Sequence, residues 1–154
     1  MSNEINERRS LPFIWDDGGR QAAGYRGQTG DCVTRAIAIA TKQPYETVYK
    51  ALNGIAKDER PKKRRGNKRS SSRSGVFKST YETYLDWLGW EWTPTMGIGT
   101  GCKVHLAEGE LPMGRLIVSV SKHLVAVIDG EVFDASNPCR SGNRCVYGYY
   151  ERTS

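Results

Sequence analysis

The sequence predicts an α+β fold, with helices in its first half and an antiparallel sheet in its second. Three observations carry that expectation. Apolar residues recur at helical spacing at Val48, Leu52 and Ile55, and again at Tyr81, Tyr84, Leu85 and Leu88. From Leu116 onward the pattern turns to short β-rich runs. Asp129-Gly130 separates two of those runs as a strong two-residue hairpin turn. Helices first and strands second is the order of an α+β domain.

Taken in order, residues 1–26 read as a polar N-terminal arm whose Leu11-Pro12-Phe13-Ile14-Trp15 patch packs on the body. Residues 27–154 read as one domain, a size that buries a single core. A first helix is expected from about Asp31 to Thr41, rich in Ala36, Ala38 and Ala40, with the Asp31 carboxylate capping its first turn. Pro44 ends it by pushing the preceding residue out of the helical region. A second helix is expected over residues 45–55 and a third over residues 78–88, stopped by Gly89. Trp90, Trp92 and Pro94 lead into a Gly-rich connection over residues 96–101. Strands are expected over residues 116–120, 124–128, 131–134 and 145–150.

Charge is uneven along the chain. The net charge is +6, yet residues 57–75 hold nine Lys and Arg against Asp58 and Glu59, a local +7 that leaves the remainder at −1. This segment has no apolar periodicity and reads as a mobile basic loop. It is a candidate contact for nucleic acid or another polyanion. No apolar run is long enough to cross a membrane and the N-terminus lacks the pattern of a signal peptide, so a cytoplasmic protein with no membrane partner is expected. Four cysteines in such a chain read as thiols, with Cys139 and Cys145 the pair that would close a disulfide under oxidising conditions. Cys102, His105, Cys139 and Cys145 are ligand types for zinc, but the gap between Cys139 and Cys145 is wide for a knuckle. The reading therefore carries no metal and no cofactor.

Cys32 falls at the first position of the first helix, where free amides and the helix dipole favour a thiolate. A small buried core residue is the plain alternative for such a cysteine. The hairpin adds the second part. With Asp129-Gly130 as its turn, Ile128 pairs with Glu131 and His123 falls opposite Ser136. Asp134 then points to the same face as His123, as its diagonal neighbour, while Asn137 points away. A cysteine, an imidazole and a carboxylate divide the work of nucleophilic catalysis: attack, proton transfer and orientation. Gln28 and the Cys32 amide are candidate oxyanion donors.

In these residues the chain resembles the papain-like cysteine peptidases. They place a cysteine at the start of an early helix and then a histidine and an Asp or Asn on strands of an antiparallel sheet. Gln28 is similar to their oxyanion glutamine, although it stands nearer the cysteine and no aromatic residue follows Cys32. Cys32-Val33-Thr34-Arg35-Ala36 resembles the ovarian-tumour-type deubiquitinases. The stretch from Lys122 to Ile128, followed by a tight turn and Phe133-Asp134, resembles the bacterial leader-processing peptidases. The branch stays open. The resemblance implies a papain-like fold with the nucleophile helix first, a protein or peptide substrate, and amide cleavage through an acyl-enzyme by Cys32, His123, Asp134 and Gln28. The alternative is an inactive scaffold of the same kind that binds a polyanion through residues 57–75.

Overall fold

A computed structural model describes residues 8–26, 30–59, 70–97 and 99–153. Over these residues the architecture is α+β: three α-helices and one six-stranded mixed sheet. Helix α1 (Cys32–Thr41), α2 (Tyr45–Lys57) and α3 (Lys78–Trp87) fall within two residues of the expected ends. The strands are β1 (Phe13–Trp15), β2 (Trp90–Pro94), β3 (Arg115–Val120), β4 (His123–Ile128), β5 (Glu131–Asp134) and β6 (Gly148–Arg152). They lie side by side in the order β1-β5-β4-β3-β6-β2. Among the described residues no helix is long and apolar enough to cross a membrane.

The sheet departs from the sequence expectation at its edges. The first element is a strand, not the nucleophile helix, and β1 pairs with β5 in parallel, so the sheet is mixed rather than antiparallel. Trp90 to Pro94, not among the expected strands, forms edge strand β2 against β6. The last strand begins at Gly148 rather than Cys145. Both edges are made by pairing between residues far apart in the chain, which no local pattern announces.

The central hairpin has the expected register. Ile128 pairs with Glu131, Val127 with Val132 and Ala126 with Phe133. Asp129 and Gly130 take φ of 49° and 80°, the left-handed pair that matches the twist of such a turn. Strand β5 stops at Asp134, so the ladder does not reach Ser136.

Both faces of the sheet are buried. Ile117, Leu124 and Ala126 pack with Ile37, Leu52 and Leu85 of the helical layer. Leu116, Val118, Val125 and Val127 pack on the other side with Leu11, Leu106 and Val146, which come from the arm and the long connections. That double burial is why β3 and β4 read as nearly continuous apolar runs. Arg115 fixes the far end of α1 by donating from Nε and Nη2 to the carbonyls of Ala40 and Ile39, each at 2.7 Å, a cation at the negative end of the helix.

The basic segment is shorter than its composition implies. Lys57 ends α2, and residues 60–69 lie outside the described residues. Residues 70–75 are not a mobile loop but a packed turn closed by the Ser71–Gly75 bridge. Ser72 is fully buried; its Oγ donates to the Tyr49 carbonyl and its own carbonyl accepts from Thr34 Oγ1 at 2.8 Å. Serine is common in disordered segments, but its hydroxyl also satisfies buried backbone groups, and here that use wins.

Gly148 sits where β6 meets both β2 and β3. A Cβ there would stand 2.4 Å from two ring carbons of Trp92 and 2.7 Å from the Thr93 carbonyl oxygen. Gly148→Ala is expected to cost about 1–3 kcal/mol, the usual penalty of overpacking, and to displace the Trp92 ring. Denaturant unfolding followed by tryptophan fluorescence measures both effects.

Candidate active site

Cys32 opens α1, which lies across β4. His123 opens β4 and Asp134 closes β5, so the hairpin register brings the last two to one end of the sheet. His123 Nε2 lies 2.6 Å from Asp134 Oδ2. Cys32, His123 and Leu124 line one cleft, and His123 and the Leu124 backbone amide both act on the Cys32 thiol to favour its charged form. Since Nε2 faces Asp134, the other ring nitrogen is the one left for the thiol. Asn137, by contrast, accepts from the Cys139 backbone N–H at 2.9 Å, which ties it into its own turn. Gln28 lies outside the described residues.

The electrostatics follow from those contacts. Burial alone would push the Cys32 thiol up, but the hydrogen bond and charge of His123, the Leu124 amide and the Arg35 charge outweigh it and hold the thiol below its ordinary value. Burial acts on His123 in the opposite sense to its partners. Asp134 first and then Cys32 overcome it, and His123 is raised to about 9. Both shifts act in the same direction, favouring thiolate beside imidazolium over the neutral pair.

This gives a pH dependence with a definite sign. The raised His123 contributes stability that is fully present below the ordinary imidazole value, about 6.5, and is lost as pH rises through about 9. In Cys32→Ala one of the two groups raising it is gone, so His123 should titrate below about 9. The chain has two histidines, so imidazole NMR resolves this titration directly.

Behind the histidine lies a buried set of charges that the sequence reading missed. Asp31 does not cap α1 with its side chain. It is 1% exposed, and its carboxylate accepts from Tyr45 Oη at 2.6 Å and Arg20 Nε at 3.1 Å and is paired with Arg35. Arg35 Nη2 also reaches Asp134 Oδ1 at 3.4 Å. Asp134 Oδ1 accepts the Ala135 backbone N–H at 2.7 Å as well. From the other side β1 grips the same residue, with Trp15 paired to Asp134 and the Asp16 N–H bonded to its carbonyl at 2.9 Å. The Asp31 and Arg35 spacing was visible as a helical ion-pair interval, but an aspartate before a helix reads first as a cap.

Cys32 and His123 open on a cleft of about 540 Å³. Tyr81, Trp92, Tyr147 and Tyr150 supply its aromatic lining, and Gly30 and Gly75 line it as well. A Cβ on Gly30 would stand 2.8 Å from the Ser74 carbonyl oxygen, so the packed 70–75 turn presses against the approach to α1. The arrangement can present a sulfur whose ionisation is favoured to a ligand in the cleft, with an imidazole beside it able to carry a proton.

The remaining cysteines are not all thiols. Cys102 and Cys145 form a disulfide across 43 residues, after the His105–Cys145 bridge brings their segments together. Cys139, the partner expected for Cys145, is instead a free, fully buried cysteine facing the Leu11 carbonyl. The four residues weighed as zinc ligands are therefore divided, and among the described residues no group of three His, Cys, Asp or Glu is placed so that it could hold a metal ion. No family model, curated protein or solved structure shows significant similarity to the chain.

Proposed function

We propose that the chain is a cysteine hydrolase of the papain-like type, acting on the amide or isopeptide bond of a protein or peptide. The observation that supports this most is the 2.6 Å bond between His123 and Asp134, with Cys32, the first residue of α1, lining the same cleft as His123 and its thiol held low by that imidazole. The α1 helix lying on the strands that supply His123 and Asp134 supports the papain-like reading, although β1 comes before α1 and pairs in parallel.

In this reading Cys32 Sγ attacks the carbonyl carbon and His123 gives its proton to the departing amine. The thioester that remains is opened by a water whose proton His123 takes. Asp134 holds the ring with Nε2 inward and stabilises its charged form. Arg35, held by Asp31, positions Asp134. Gln28 and the Cys32 amide are the proposed oxyanion donors.

Incubation with an activated acyl ester, followed by peptide-resolved mass spectrometry, tests the reading. A hydroxylamine-sensitive acyl adduct on Cys32 is expected, absent from Cys32→Ala and slow to be released in His123→Ala. An adduct that forms only on Cys139, or no adduct at all, would refute the assignment.

A further inference from the structure

Cys102, His105, Glu110 and Cys145 form a second sulfur–imidazole cluster, and none of the four lines the cleft beside Cys32. Cys102 is exposed, whereas His105 is only 9% exposed. His105 Nδ1 lies 3.0 Å from Glu110 Oε1, and the same oxygen accepts the His105 backbone N–H at 2.9 Å. A carboxylate only accepts, so Nδ1 carries the hydrogen. In the neutral ring that leaves Nε2 as the acceptor, 3.4 Å from Cys102 Sγ. Glu110 is in turn held by Arg8, whose Nε lies 3.5 Å from Oε2. A cross-link that only ties two segments together has no need of an oriented imidazole behind its exposed sulfur. A sulfur that leaves and returns does, because the thiolate is both the attacking and the departing form.

We propose that Cys102–Cys145 is a thiol–disulfide exchange site for low-molecular-weight thiols, with Cys102 the exchanging sulfur, His105 its base and Cys145 the resolving thiol. In the reducing direction a small thiolate attacks Cys102 Sγ. The Cys102–Cys145 bond breaks, and its electron pair leaves on Cys145, which takes a proton from solvent. A second small thiolate attacks the small-molecule sulfur of the mixed disulfide, and Cys102 leaves as a thiolate that takes a proton by way of His105. The protein disulfide is reduced to two thiols while two small thiols are oxidised to their disulfide. In the oxidising direction His105 Nε2 takes the Cys102 proton, and the Cys102 thiolate attacks the small disulfide, whose S–S bond breaks and releases one small thiolate. Cys145, having lost its proton to solvent, then attacks Cys102 Sγ and displaces the bound half as the second small thiolate. Glu110 keeps the ring in the tautomer that accepts.

The test is exchange of the full-length oxidised chain with reduced glutathione, and of the reduced chain with oxidised glutathione, followed site by site by mass spectrometry. A transient glutathione adduct on Cys102 is expected. The rate of oxidation should fall roughly tenfold in His105→Asn, where the thiol loses its base, and several-fold in Glu110→Gln. A bridge with a purely structural role predicts the opposite sign for reduction, since loosening its surroundings speeds attack on it. Unchanged or faster exchange in Glu110→Gln, which alters a partly exposed residue and decides the matter if His105→Asn does not fold, would overturn the proposal. So would an adduct confined to Cys145.

Discussion

Asp31→Ala is expected to destabilise the protein by about 3–5 kcal/mol, the usual cost of removing one partner from a buried ion pair. For a chain of this size that lowers Tm by on the order of 10 °C. The reason is what stays behind. Arg20 and Arg35, with side chains 15% and 14% exposed, lose their shared anion, and the buried Tyr45 hydroxyl loses its acceptor. Asp31→Asn keeps an oxygen for Tyr45 and should cost less. The effect should also reach the site, because Arg35 joins Asp31 to Asp134 and a freed guanidinium no longer fixes the carboxylate that orients His123. Thermal unfolding by circular dichroism measures the first effect. A loss under about 1 kcal/mol would mean that the buried ion-pair cluster around Asp31 adds little to stability.

The parts of the fold that local chemistry dictates were legible in the sequence. Asp129-Gly130 set the turn, the turn set the register, and the register put Asp134 beside His123. The helices followed from their apolar spacing. What was not legible depends on partners distant in the chain. Phe13 to Trp15 is too short to read as a strand, and it becomes one only because β5 offers a free edge. The sheet's second apolar face is covered by connections with no periodicity of their own. Cys102 and Cys145 meet because of a bridge that joins residues 105 and 145. Asp31 was seen, but its helix-start position hid its tertiary role. Ser72 was misread for a similar reason, since its partners Tyr49 and Thr34 lie in the helices before it.

The second large effect is expected at Cys32 itself when His123 is replaced by Ala. His123 supplies the strongest of the influences that offset the burial of the thiol, leaving the weaker effects of the Leu124 amide and the Arg35 charge. Without it burial dominates, and the Cys32 thiol should move up past its ordinary value of about 8.5. At mildly acidic pH the thiolate fraction then falls, and alkylation of Cys32 should slow roughly tenfold to a hundredfold. Cys139 is the internal control. It is fully buried, and burial raises its thiol above the ordinary range.

The decisive measurement is the rate of iodoacetamide labelling at Cys32 and Cys139 as a function of pH, in the non-reduced wild-type chain and in His123→Ala. Cys32 should label faster than Cys139, with a wild-type profile that rises below the ordinary thiol range and shifts upward when His123 is removed. Slower labelling of Cys32 than of Cys139, or a Cys32 profile indifferent to the loss of His123, would contradict an activated cysteine at the start of α1.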